Sequence, residues 1–295
     1  MKKILSVLLA VILVSLCFCA CSKENESTDN DDGIRITLDS HYSNTGESTI
    51  RAYEKLCTAV INADSQVKFN IQLFDDVAQL FYTSFPLNVL VENISFSQDN
   101  SGVELTYKND IDTHKSIIEN FNNRVDEILK ECGYKKVSNN RLVFNIYTYI
   151  AGNFKIDNDT LTVYDTIMNS KGAPSCINSA FEYFVLCAGG ESSHLINSIG
   201  KGAIVSSAKL SGSYYYFDVA KEISDTNGEA LRFFAMDDAR IAEYVAGPLK
   251  YTDKATADPI EDTKYSFLSD SQSYTVDGDD ITVNCNNENI SLEIG

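Results

Sequence analysis

Apolar and polar residues alternate along this chain in two rhythms, each predicting a different kind of element. From Thr45 to Ala63, residues Ile50, Tyr53, Cys57, Val60 and Ile61 share one stripe at helical spacing, which predicts an amphipathic helix. Val67, Phe69, Ile71 and Leu73 alternate with polar neighbours and predict a half-buried strand. A short helix is expected over Asp75 to Tyr82, stopped by Pro86. Strand patterns follow at Val89–Phe96 and Val103–Tyr107, separated by the turn-rich Gln98-Asp99-Asn100-Ser101-Gly102. The clearest helix runs from Thr113 to Glu131 through Ile117, Ile118, Phe121, Val125, Ile128 and Leu129. Asp112 is its candidate N-cap and Gly133 stands just past its end. A further helix is expected at about Arg141 to Ala151.

The C-terminal half reads differently. Pro174-Ser175-Cys176 opens a helical pattern carrying Ala180, Phe181, Phe184 and Val185, and Gly189-Gly190 closes it. Strand patterns then cover the stretch around His194, Ala203–Leu210 and Tyr214–Val219, with a turn at Ser211-Gly212. The tail reads as short strands such as Tyr265–Leu268 and Ile281–Val283, between turn signals at Asp277-Gly278 and Asn286-Asn287. Helices and antiparallel strands in this order predict an α+β fold.

Composition narrows the function. At 44% hydrophobic and 22% charged, the chain can build a packed core. Its 24 Lys+Arg against 42 Asp+Glu give a formal charge of −18, which argues against nucleic acid, because phosphate contacts need clustered cations. Three scattered histidines would make a zinc site unusual, and nothing in the pattern implies a cofactor.

The first residues carry an address. Met1-Lys2-Lys3 is a cationic start, and the apolar run from Ile4 to Cys19 is shorter than the roughly 20 residues of a membrane span. It ends in Phe18-Cys19-Ala20-Cys21-Ser22, which resembles a bacterial lipobox. That resemblance implies a signal peptide over 1–20, cleavage behind Ala20 and lipidation of Cys21. Two acyl chains on one glyceryl group anchor stably where one is marginal. The alternative is ordinary secretion. Residues 21–45 are expected to form a polar tether, since Ser22 to Gly33 has no large apolar residue and many carboxylates. Loss of Lys2 and Lys3 leaves 22 basic against 42 acidic residues, or −20. The expected address is the extracellular face of a bacterial cell membrane, with the membrane as one partner.

A chemical constellation lies further on. Cys176 stands where a helix should begin, and the positive end of a helix favours thiolate. The order of that helix and the strands ending in Asp218 is the order in which papain-like enzymes assemble nucleophile, base and orienting acid. The stretch is similar to the transglutaminase-like superfamily of bacterial cysteine enzymes. Val163-Tyr164-Asp165-Thr166-Ile167-Met168-Asn169-Ser170-Lys171-Gly172 leads to Cys176-Ile177-Asn178-Ser179-Ala180-Phe181, and Ala188-Gly189-Gly190 matches the turn that ends the family's helix. Lys209-Leu210-Ser211-Gly212-Ser213-Tyr214-Tyr215-Tyr216-Phe217-Asp218 matches its hairpin, and Phe233-Phe234-Ala235-Met236-Asp237-Asp238 a segment that often follows. Upstream, Ile146 to Phe154 looks like the family's helix before the core. The resemblance spans about 140–240 and implies a papain-like core.

By the same resemblance the family's catalytic histidine falls on Ala203, the tryptophan after it on Val205 and the hairpin tryptophan on Tyr214. Without an imidazole the thiol lacks a proton acceptor, help worth about 10²–10⁴-fold. His194 is the one replacement base in view; otherwise it is an ordinary strand residue, Cys176 an inert thiol and Asp218 a turn cap. His41 and His114 read as solvated. Removing Cys17 and Cys19 with the signal and Cys21 to lipid leaves Cys57, Cys132, Cys176, Cys187 and Cys285. Five cannot all pair within one chain.

The expected organisation is an α+β region over 46–138, a transglutaminase-like domain over 139–250 and a β segment over 251–295. The leading expectation is a lipoprotein whose transglutaminase-like domain has lost catalysis and binds a protein or cell-wall peptide ligand. The alternative is an active cysteine protease, amidase or acyltransferase using Cys176, His194 and Asp218. A third reading, a purely structural envelope protein, would be opposed by a pocket at the Cys176 helix start lined by Tyr214–Tyr216.

Overall fold

A computed structural model describes residues 35–197, 205–245, 247–251 and 255–294; Cys21, the expected signal peptide and Ala203 lie outside these. The fold is mixed, 46% helical and 23% strand. The N-terminal part carries α1 (Glu47–Asn62), β1 (Gln66–Lys68), α2 (Phe74–Ser84), β2 (Val91–Phe96), β3 (Gly102–Tyr107) and α3 (Ile111–Glu131). Its small antiparallel sheet has the order β1-β3-β2. Next come α4 (Asn139–Asn153), β4 (Lys155–Ile156), α5 (Val163–Asn169), β5 (Lys171–Gly172) and α6 (Pro174–Cys187). Strands β6 (Ser192–Asn197), β7 (Val205–Leu210) and β8 (Ser213–Phe217) lead to α7 (Val219–Thr226), α8 (Asp238–Ile241) and β9 (Leu249–Tyr251). The larger sheet has the order β8-β7-β6-β9 and every pairing in it is antiparallel. A C-terminal sheet of β10 (Ser271–Asp277), β11 (Asp280–Cys285) and β12 (Glu288–Ser291) closes the chain.

Helix α6 organises the core. Ile177, Ala180, Phe181 and Phe184 are wholly buried, as an apolar 3.6-residue pattern on nearly all faces requires of a central helix. Phe181 packs 5.2 Å from Phe217 of β8 and 6.0 Å from Tyr147 of α4, ring centre to ring centre. Phe234 joins them, 5.1 Å from both Tyr147 and Phe217. One hydrophobic cluster runs from Tyr42 to Ile294 through all of these elements. Among the described residues no helix is long and apolar enough to cross a membrane.

Several expectations change. The run from Val67 to Leu73 is a strand only at Gln66–Lys68; Asn70 then caps a 3-10 turn at Ile71–Leu73, accepting from Gln72 N. Asp110, not Asp112, caps α3, accepting from the backbone N–H groups of both Asp112 and Thr113. Tyr265–Leu268 is no strand: Ser266–Asp270 forms a 3-10 turn that buries Leu268. β8 ends at Phe217, and Val219 opens α7 instead of extending the strand. Residues 35–44, the end of the stretch expected to be tether, bury Thr37, Asp39 and Tyr42.

Neither remaining histidine is solvated as expected. His114 is fully buried, with Nε2 2.6 Å from the Val60 carbonyl and the ring edge-on to Tyr107. His41 stacks on Tyr251 with ring centres 3.7 Å apart.

Candidate functional site

Cys176 is the third residue of α6, behind Pro174 in the first turn, where the missing proline N–H costs no helical hydrogen bond. Its thiol is buried, and burial raises its pKa; hydrogen bonds from Ser175 and Thr166 only partly oppose this, and the charge of Asp165 adds to it. The thiolate expected from the helix dipole is therefore not favoured. Beside the helix lies a cavity of about 170 Å³, whose lining includes Cys176, Ser179, Glu182, Thr37 and Thr162.

His194 lies on β6 with its ring turned toward α6, but further along the helix. Its Nδ1 is 3.2 Å from Ser179 Oγ and 3.2 Å from Glu182 Oε2. Ser179 and Glu182 are three and six residues beyond Cys176, roughly 4.5 and 9 Å along the helix axis. Burial works against charge on the imidazole, yet the hydrogen bond and charge of Glu182 and the charge of Asp39 carry its pKa above the ordinary value. Its backbone N–H donates to Asp39 Oδ2 at 2.8 Å.

Asp218 is also engaged elsewhere. It follows β8 and caps α7, accepting from Lys221 N and Asn178 Nδ2, each at 3.0 Å. Tyr244 OH adds a longer contact of 3.4 Å. Burial raises its pKa in spite of these donors. Strand register separates it from His194: Phe217 pairs with Ser206, and Ser206 with His194. Two strand spacings, about 10 Å, lie between β8 and β6. Cys176, His194 and Asp218 thus stand in the expected order along the chain, yet no described hydrogen bond joins any two of them.

The structure brings together a different set. Glu182, buried, meets the largely covered imidazole directly, while Asp39, 1% exposed, holds the His194 backbone N–H and adds its charge nearby. Asp39 also accepts from His41 N at 2.8 Å, while Ser40 Oγ takes Ser192 N at 2.8 Å. The segment 39–41 thereby satisfies N–H groups of β6 that β9 does not reach. Asn178 Oδ1 accepts from Ala220 N, and Ser206 Oγ donates to the Asn178 carbonyl. Sequence reasoning missed Asp39, Asn178, Ser179 and Glu182. For the three on α6 the signal was present: Asn178, Ser179 and Glu182 interrupt the otherwise apolar run from Cys176 to Cys187.

Burial, and then the charge of Glu182, push the Asp39 carboxyl up to about 7. A carboxyl raised from about 3.9 in the unfolded chain stabilises the fold fully below that value and loses its contribution as pH rises through 7. A raised His194 has the same sign, contributing fully below about 6.5 and losing its contribution as pH rises through its folded pKa. The melting temperature is therefore expected to fall by on the order of 5 °C between pH 5 and pH 8. Asp39→Asn should flatten that slope; a wild-type curve that is flat or rising over this range would contradict the assignment.

The outer face of the larger sheet carries a second and larger cavity, of about 590 Å³, reached by Ser193, Ser207, Tyr214 and Tyr216. These alternate with the positions that touch α6, so the Tyr214–Tyr216 face and the Cys176 thiol lie on opposite sides of the sheet. The five cysteines among the described residues are all free and buried. Among those residues no group of three His, Cys, Asp or Glu side chains could hold a metal ion. No family model matches the chain, and no curated protein matches it.

Proposed function

We propose that this chain is a lipid-anchored surface protein whose transglutaminase-like, papain-like core binds a ligand and does not catalyse. The observation that carries the reading is the separate engagement of the three chemical residues. His194 is held by Glu182 and Ser179, Asp218 by Asn178 and the α7 cap, and the Cys176 thiol has a raised pKa. A general base must lie within hydrogen-bond reach of the proton it removes. The packing of a helix on an antiparallel sheet, in the order α6, β6, β7, β8, supports the papain-like resemblance. The lipobox-like Phe18 to Ser22 supports the anchor, and with it an extracellular address.

The purified protein, offered amide and ester substrates with and without an amine acceptor, is expected to turn over none of them. Cys176→Ala should leave the background rate unchanged. Turnover that this substitution abolishes would restore the active cysteine enzyme.

A further inference from the structure

The cavity on the outer face of the sheet has the composition of a recognition site. Its size falls within the roughly 300–1,000 Å³ typical of small-ligand sites. Tyr214, Tyr216 and Tyr251 form aromatic walls, and Asp258, Glu261 and Asp262 approach from the loop between β9 and the C-terminal sheet. No lysine or arginine is among its described lining residues. The fourth lining carboxylate, Glu191, is already matched by Lys209 at 2.8 Å.

The walls are pinned. The loop is tied down by Ala257 N to the Leu249 carbonyl at 3.1 Å and by Asp238 N to the Ile260 carbonyl at 2.9 Å. Tyr216 OH donates to Asp238 Oδ1 at 2.9 Å, and Tyr251 is stacked on His41. A cavity held this way needs little ordering on binding, which is where affinity is most easily lost.

We propose that this cavity binds an organic cation, a basic group on an apolar stem, holding the stem between its tyrosine rings and the charge against its acidic loop. The inference deepens the binding reading above and rests on it. Asp258 and Glu261 enter no described ion pair, while Asp262 is held by Tyr215 and Lys264 N with the Lys264 charge beside it. The net negative charge of the loop disfavours anions and leaves two carboxylates for a cation. Tyrosine faces attract ammonium and guanidinium groups through the ring quadrupole. The protein shows the same chemistry at the cavity margin: the Lys209 ammonium sits between the Glu191 carboxylate and the Tyr214 ring, 5.9 Å from its centre. A ligand cation would repeat that arrangement between Tyr251 and Asp258. Such a cation could be a free amine or a basic side chain of a peptide.

Calorimetric titration of the full protein tests this with four probes: 1,5-diaminopentane, a blocked lysine peptide, a blocked arginine peptide, and the lysine peptide acetylated at its ammonium. Saturable binding of at least one cationic probe, with none for the acetylated peptide, is expected. Diaminopentane alone would mark a free amine as the ligand, and the blocked peptides a basic side chain. Asp258→Asn, on an exposed loop residue, and Tyr251→Leu should each weaken binding by about tenfold. Glu119→Gln, which removes the same charge from the exposed surface of α3, should leave it unchanged. No saturable binding at millimolar probe, equal binding of the acetylated peptide, or equal loss with Glu119→Gln would overturn the proposal. Each of those results leaves the Cys176→Ala turnover test untouched, so this inference and the non-catalytic reading fail separately.

Discussion

Asp218→Ala is expected to lower the melting temperature by roughly 5–15 °C, because the carboxylate is a structural junction. It caps α7 through Lys221 N, and it ties α7 to α6 by accepting from the Asn178 side-chain amide. Asn178 in turn accepts from Ala220 N and, through its carbonyl, from Ser206 Oγ. The group is 5% exposed, so truncation strands two donors that water cannot easily reach. A lost N-cap costs about 1 kcal/mol, and each buried donor left unpaired about 1–3 kcal/mol. The sum is about 2–4 kcal/mol after partial relaxation, and a domain of this size loses about 2–4 °C per kcal/mol. Asp218→Asn keeps a capping oxygen and should cost less than half as much. Thermal unfolding followed by circular dichroism measures both. A shift below 2 °C for Asp218→Ala would mean that the carboxylate is not structural and is free for another task.

Much of the fold follows from local pattern alone. Helix α3 declares itself through Ile118, Phe121, Val125 and Ile128, all buried. Gly133 ends it at φ 87°, the left-handed conformation a helix terminus favours in glycine. Helix α6 is announced by Pro174 in its first turn and closed near Gly189, at φ 79°. The failures are short elements. Ile71 and Leu73 stand two apart, and Tyr265 and Leu268 three apart, spacings too short in extent to separate a strand from a 3-10 turn. Only tertiary packing decides between them. Helix α5, seven residues capped by Thr162 through Asp165 N, is too short for periodicity to reveal.

The site was legible as an order and not as a set of contacts. Cys176, His194 and Asp218 are separated by tens of residues, and their meeting depends on strand register, which a single sequence does not fix. The pairings of Ser206 with His194 and with Phe217 send the imidazole toward Ser179 and Glu182 and leave Asp218 with Asn178. Asp39 was hidden for another reason. It lies in the stretch expected to be a polar tether, where a carboxylate looks like one more solvated charge, yet it accepts from His41 N and His194 N. A polar residue in a charged run becomes structural only when the next element folds back onto a strand.

Among the described residues no base lies within hydrogen-bond reach of the Cys176 thiol, and the reactivity of that thiol is the most direct check. A thiol with pKa near 9 is about 0.1% thiolate at pH 6, whereas one paired with an imidazole, near 6, is about half ionised. That difference of roughly 500-fold shrinks to about 20–30-fold in rate, because a less basic thiolate is a weaker nucleophile. Limited access to Cys176 slows every rate alike, and the raised pKa that burial brings moves the climb to higher pH, never lower. Peptide-resolved mass spectrometry of iodoacetamide alkylation from pH 5 to pH 10 would isolate Cys176 from the other four buried thiols. The account predicts a rate that is still climbing above pH 8.5 and is indifferent to His194→Ala. A profile that levels off near pH 6.5, and collapses when His194 is replaced, would contradict it.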